Sequence, residues 1–112
     1  MSTESKPFLP LHPTSFRVLM AALDGPTFGM AIVKKLEEAS PNERLYPANL
    51  YRRIRDLLGL GLFEECDSPE GADPRRTYMR LTALGNEVAR AEARRIRDIY
   101  VDARNRGLVG DA

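Results

Sequence analysis

Apolar residues recur every three or four positions in four stretches of this chain and every second position in one, and the intervals hold glycine, proline and charge. Phe16, Leu19, Met20 and Leu23 predict an amphipathic helix over residues 13–23, with Pro13 in its first turn. Asp24-Gly25-Pro26 stops it. Thr27 is placed to cap a second helix, from about Phe28 to Ala39, whose inward stripe is Phe28, Ile32, Val33 and Leu36. A third helix starts near Pro47; at 100° per residue Leu50, Ile54, Leu57 and Leu58 share one arc, while Ala48, Asn49, Arg52, Arg55 and Asp56 take the other side. Gly59 and Gly61 end it. Leu62 to Cys66 has the length and mix of a strand, and Arg75 to Leu81 alternates, with Thr77, Met79 and Leu81 on one face. The breaker-rich segment Ser68 to Pro74 joins the two as a hairpin.

Thr82 is suited to cap the last and longest helix, Ala83 to about Asn105, whose stripe runs through Leu84, Val88, Ala91, Ile96, Ile99, Tyr100 and Ala103. Three short helices cannot cover a stripe that long. Its far end is therefore expected to pack on a second copy of the chain, with Val88, Ile96, Ile99, Tyr100 and Ala103 as dimerisation residues. The expected layout is a loose arm over 1–11, a compact unit over 12–82, the dimerisation helix over 83–106 and a frayed tail over 107–112. The fold class is mainly α with a small β-hairpin: a winged helix-turn-helix followed by a long C-terminal dimerisation helix.

Composition narrows the functions. At 112 residues the chain has room for one modest core, and 43% apolar with 29% charged residues is globular composition. No stretch reaches the roughly 18 apolar residues of a membrane span, and the N-terminus has no signal-peptide pattern, so the expected compartment is the cytoplasm. One cysteine, Cys66, and one histidine, His12, offer neither an internal disulfide nor a metal-ligand spacing. There is no nucleophile with a base, no paired carboxylate motif and no glycine-rich phosphate loop, so neither an enzyme nor a cofactor is expected. The formal net charge of +1 leaves any anion-binding role to local clustering of arginines.

Such clustering is present. A helix-turn-helix buries one face of its second helix and presents the other to the major groove of double-stranded DNA, while a wing lies along the backbone. Arg52, Arg53 and Arg55 fall on the first element and Arg75, Arg76 and Arg80 on the second. Arginine at phosphates releases counterions and fixes register, and Asn49 and Arg52 are chemically suited to read adenine and guanine edges. Against this, the wing carries five acids, Glu64, Glu65, Asp67, Glu70 and Asp73, which can mask its three arginines.

From about Leu9 to Arg106 the chain resembles the PadR-like transcriptional regulators. The resemblance is carried by Gly25-Pro26-Thr27-Phe28-Gly29, by Leu50-Tyr51-Arg52, by Gly61 to Glu65 and by Asp73 through Gly85, in that order. It implies a homodimeric DNA-binding regulator, usually a repressor, with DNA contacts from Asn49, Tyr51 and Arg52 and from wing residues such as Arg75 and Arg76. Family members often carry His and Tyr where this chain has Phe28 and Met30, and Gly-Thr or Gly-Ser where it has Ala48-Asn49, so the operator is not transferable. The family often responds to a small ligand. Here the expected seat of an effector is the apolar seam between the last helices and the first helix of the other subunit, lined by Phe8, Phe16, Ile96 and Tyr100, and the short C-terminal region predicts weak binding or none. The alternative reading is a winged helix that docks a protein partner through its last helix.

Overall fold

The computed structural model describes residues 4–110, so residues 1–3 of the expected arm and 111–112 of the expected tail lie outside it. Its elements are α1 (Pro13–Ala21), α2 (Gly29–Ala39), α3 (Pro47–Gly59), β1 (Phe63–Cys66), β2 (Tyr78–Leu81) and α4 (Ala83–Asn105). The two strands pair antiparallel with Glu64 opposite Arg80 and Glu65 opposite Met79. This is the expected winged helix-turn-helix with a long last helix.

The core lies where the helices meet the root of the hairpin. Val18 and Leu19 from α1, Ile32 and Leu36 from α2, Leu50, Ile54 and Leu57 from α3, and Leu62, Phe63 and Val88 around the sheet are all at most 3% exposed. Burying one such side chain stabilises the fold by roughly 1.5–3 kcal/mol. Polar clamps set the spacing of the helices. Lys35 Nζ donates to the Ala21 carbonyl at the end of α1 (2.9 Å), and Arg17 donates to Ser40 Oγ and to Glu43 Oε2 (3.0 Å). At the start of α4, Thr82 Oγ1 accepts from Gly85 N–H (3.0 Å) and donates to the Gly61 carbonyl (2.6 Å). A Cβ on Gly85 would overlap the Leu62 carbonyl, so glycine is what lets α4 lie on the strand entry.

Several expectations change. The first helix ends at Ala21, and Met20 (43%) and Leu23 (49%) are exposed while Val18 takes the inward position. Thr27 does not cap α2; its N–H and C=O both bond Met79 at 2.8 Å, and Phe28 is the N-cap without a side-chain bond. A residue paired on both backbone groups to a strand is extended sheet, which leaves the next residue to open the helix. The second strand begins three residues late, because Arg75 to Thr77 belong to the turn that Asp73 organises, and Tyr78 and Met79 are both buried, so the expected alternation fails. Tyr78 is covered from its own side by Phe28, with ring centroids 5.5 Å apart.

The ends differ most. The described part of the arm is packed: Ser5 is buried, Phe8, Leu9 and Leu11 rest on the core, and the Leu11 N–H donates to Glu92 Oε2 at 2.8 Å. Glu92, 1% exposed, also accepts from Arg95. Burial alone pushes its carboxyl upward, but the Arg95 side chain, the Leu11 N–H and the Arg95 charge together outweigh that and leave the pKa below the ordinary value. The tail begins with a defined stop, in which Gly107 (φ +81) and Leu108 donate back to the Arg104 and Ala103 carbonyls.

The first part of α4 packs into the core, with Val88, Ala89 and Ala91 buried in the chain's own interior. Val88, expected at a dimer contact, is wholly enclosed there. Beyond Glu92 no residue of α4 is buried, and about 13 residues, roughly 20 Å of helix, extend past the core. The radius of gyration of 15.4 Å exceeds the ~13 Å of a compact chain of this size for that reason.

Candidate nucleic-acid interface

Of the predicted contact residues, Tyr51 and Arg55 of α3 and Arg76 of the wing line one groove. Helix α3 opens without a side-chain cap; Pro47 sits in its first turn and the Asn49 and Leu50 N–H groups bond the Tyr46 carbonyl at 2.9 and 3.2 Å. With Leu50, Ile54 and Leu57 anchored at 2–3% exposure, helical geometry turns Asn49, Arg52 and Arg55 outward, and all three are exposed. Arg52 Nη2 donates to Asn49 Oδ1 at 3.3 Å. The two candidate base readers thus hold one another in the free protein.

Tyr51 is half-buried, and its ring lies where a Cβ on residue 29 would be, which is the structural reason for Gly29. Its packing fixes the angle between α2 and α3. Arg53, at the edge of the α3 stripe, is half-buried as its position implies.

On the wing the arginines are unequal. Arg75 is bound to Asp73 through its N–H (2.9 Å), Nε (3.1 Å) and Nη2 (3.2 Å). Those bonds, side chain first, hold the Asp73 carboxyl below its ordinary pKa, with a smaller contribution from the Arg76 charge. Arg80 Nε donates across the hairpin to Glu64 at 3.1 Å. Arg76 instead places its guanidinium carbon 4.2 Å above the Phe28 ring. The Thr27–Met79 bridge makes this contact possible by laying the start of α2 beside the wing. The first turn of α2 has no side-chain cap and no acidic residue, so the positive end of its dipole adds to the same surface.

The sequence named Asn49, Tyr51, Arg52, Arg55, Arg75 and Arg76 as candidate contacts and placed Phe28 on the inward stripe, whereas the structure sets Phe28 half-buried against Arg76. An aromatic and an arginine 48 positions apart leave no local signal; the departure at position 28 from the usual family pattern was the available hint. The residues of the expected inter-subunit effector seam lie apart within one chain. Phe8 packs against the core, Phe16 lines a shallow apolar groove with Met20, Leu23, Ala89 and Ala93, and Ile96 (40%) and Tyr100 (39%) stand exposed farther along α4. Ile99 is exposed beside them and Ala103 is half-buried. Among the described residues no group of His, Cys, Asp or Glu could hold a metal ion, and no helix is long and apolar enough to cross a membrane.

Comparison with solved structures returns the same architecture. A PadR family transcription regulator from Clostridium difficile superimposes with a TM-score of 0.73 at 19% identity, over 84% of this chain and 97% of that one. A transcriptional regulator from Clostridium thermocellum gives 0.67 at 18% identity, over 95% and 96%. The adhesin competence repressor of Streptococcus pyogenes gives 0.62 at 20% identity, over 93% and 70%. At these identities the likeness establishes the fold. No curated protein matches the sequence. The model of the transcriptional regulator PadR-like family matches residues 18–91. An exposed arginine-bearing α3 set beside a wing agrees with that match, and the chain belongs to the PadR-like family of DNA-binding transcriptional regulators.

Proposed function

We propose that the protein is a homodimeric repressor that occupies a pseudo-palindromic operator, with α3 of each protomer in the major groove and the base of the wing against the backbone. The observation that carries this reading is the outward row of Asn49, Arg52 and Arg55 on a helix whose opposite face is locked into the core. Asn49 and Arg52 read bases, Arg55 and Arg76 hold phosphates, and Tyr51 supports α3 from behind. Repression follows from occlusion, since a dimer covering two half-sites about 34 Å or a multiple apart denies that DNA to polymerase.

The uncovered row Ile96, Ile99, Tyr100 and Ala103 on the overhanging part of α4 supports the dimer, because water-exposed apolar residues in a continuous row are stabilised by burial against a second copy. The exposed Met20 and Leu23 of α1 are suited to receive it. An effector is not required by this reading; if one acts, the seam joining Phe16, Ile96 and Tyr100 of two protomers is its seat.

Selection of bound sites from a random DNA pool, followed by anisotropy titration at several salt concentrations, tests the proposal. Arg52→Ala should weaken binding to the selected site by about ten-fold or more and relax specificity at one position of each half-site. Salt-independent binding indistinguishable from wild type would sink it. Light scattering should give twice the chain mass, reduced toward one chain by Ile99→Glu.

A further inference from the structure

Between the wing and α3 lies an open groove of about 340 Å³ whose walls include Phe28, Tyr51, Arg55, Arg76 and Thr77. Among the described residues, neither Arg55 nor Arg76 is within ion-pair distance of a carboxylate, whereas Arg75 and Arg80 are each held by one. The two uncancelled cations therefore share a groove. Arg76 is also fixed at both ends. Its N–H bonds the Asp73 carbonyl at 3.3 Å, and its guanidinium lies over Phe28, whose ring is in turn braced edge-on by Tyr78 at 73° between planes. A long side chain loses rotamer freedom on binding, and holding it in place beforehand removes part of that cost.

We infer that Phe28 is a positioning residue for DNA binding: its ring, braced by Tyr78, holds Arg76 beside Arg55 so that the two guanidinium groups take one backbone phosphate where the wing meets α3. This rests on the DNA-binding reading above and assigns a role to a residue that contacts no DNA itself. A flat guanidinium can stack on a ring and still turn its N–H edge to a phosphate, which an ammonium cannot do equally well. Phosphate binding by the wing thus resides at its base, in Arg76, and depends on an aromatic residue at the N-cap of α2.

The test is a double-mutant cycle on the selected operator with wild type, Phe28→Leu, Phe28→Tyr, Arg76→Ala and Phe28→Leu/Arg76→Ala. Circular dichroism establishes that each variant is folded, and the Arg76 Nε–H signal in the free protein reports stacking by its ring-current shift. Arg76→Ala should cost about ten-fold in affinity and lower the slope of log K against log salt by about 0.9 per protomer, about 1.8 for the dimer. Phe28→Leu should cost about three-fold and abolish the ring-current shift, Phe28→Tyr should restore both, and in the Arg76→Ala background Phe28→Leu should have no further effect. Equal losses from Phe28→Leu with and without Arg76 would overturn the inference, as would wild-type affinity in Phe28→Leu. Absence of wild-type binding to any duplex would instead defeat the DNA-binding reading, and the positioning role with it, even if the ring-current shift were present.

Discussion

Helix α3 and the wing each carry three arginines, yet the structure treats them differently. On α3 Arg52 bonds Asn49, a neutral acceptor, and among the described residues no carboxylate pairs with the exposed Arg55. On the wing Asp73 holds Arg75 and Glu64 holds Arg80, so that only Arg76 keeps its charge uncancelled, and it is stacked rather than paired. An exposed ion pair adds little to stability. It does remove a charge from the field that a phosphate sees. Counting arginines therefore overstates the wing and understates α3.

Four experiments bear on this contrast. Removing the two outward cations of α3, Arg52→Ala/Arg55→Ala, should lower operator affinity by about a hundred-fold and reduce the salt slope by up to about two. A loss no larger than that of Arg75→Ala would place the dominant contact elsewhere. Asp73→Asn should act in the opposite sense, freeing Arg75 and raising affinity by about three-fold with a steeper salt dependence; unchanged or weaker binding would show that the wing turn needs the carboxylate to reach DNA at all. Arg75→Ala alone should stay within about two-fold of wild type in the same titration, because its charge is already cancelled, and a ten-fold loss would restore the wing tip as a contact.

The fourth is a pH series. The folded-state pKa of Asp73 is depressed below 3.8, so its carboxylate is ionised at neutral pH, and the stabilisation of the wing turn that it provides is present above that value and lost only as pH falls through the lower one. The affinity ratio of Asp73→Asn to wild type should therefore be constant from about pH 8 to about pH 6. A ratio that closes toward one within that window would mean that the carboxyl titrates there and that the masking is weaker than the geometry implies.

How much of this was legible in advance differs between elements. The register of α3 followed from Leu50, Ile54 and Leu57, and its outward residues followed with it. The cap at Thr82, the hairpin and the length of α4 came from equally local signals. In α1 the same periodicity misled, because Met20 and Leu23 lie on a flank that α2 and α4 leave open while Val18 points between them. Val88 and Ile96 belong to one apolar stripe in the sequence, yet one is enclosed and the other exposed. Only the point at which the core ends separates them.

Local patterns in the chain were enough to specify the elements, their order, the buried face of α3 and the residue types on its outward face, because helical and strand periodicities, caps and turns act within a few residues of one another. Tertiary structure decided which charges remain available. It laid Thr27 against Met79 and so carried Phe28 under Arg76, docked the N-terminal segment on Glu92, and divided α4 into an enclosed and an uncovered half. Each of these joins residues 48 to 81 positions apart or depends on the extent of the shared core, and no period along the chain records such distances.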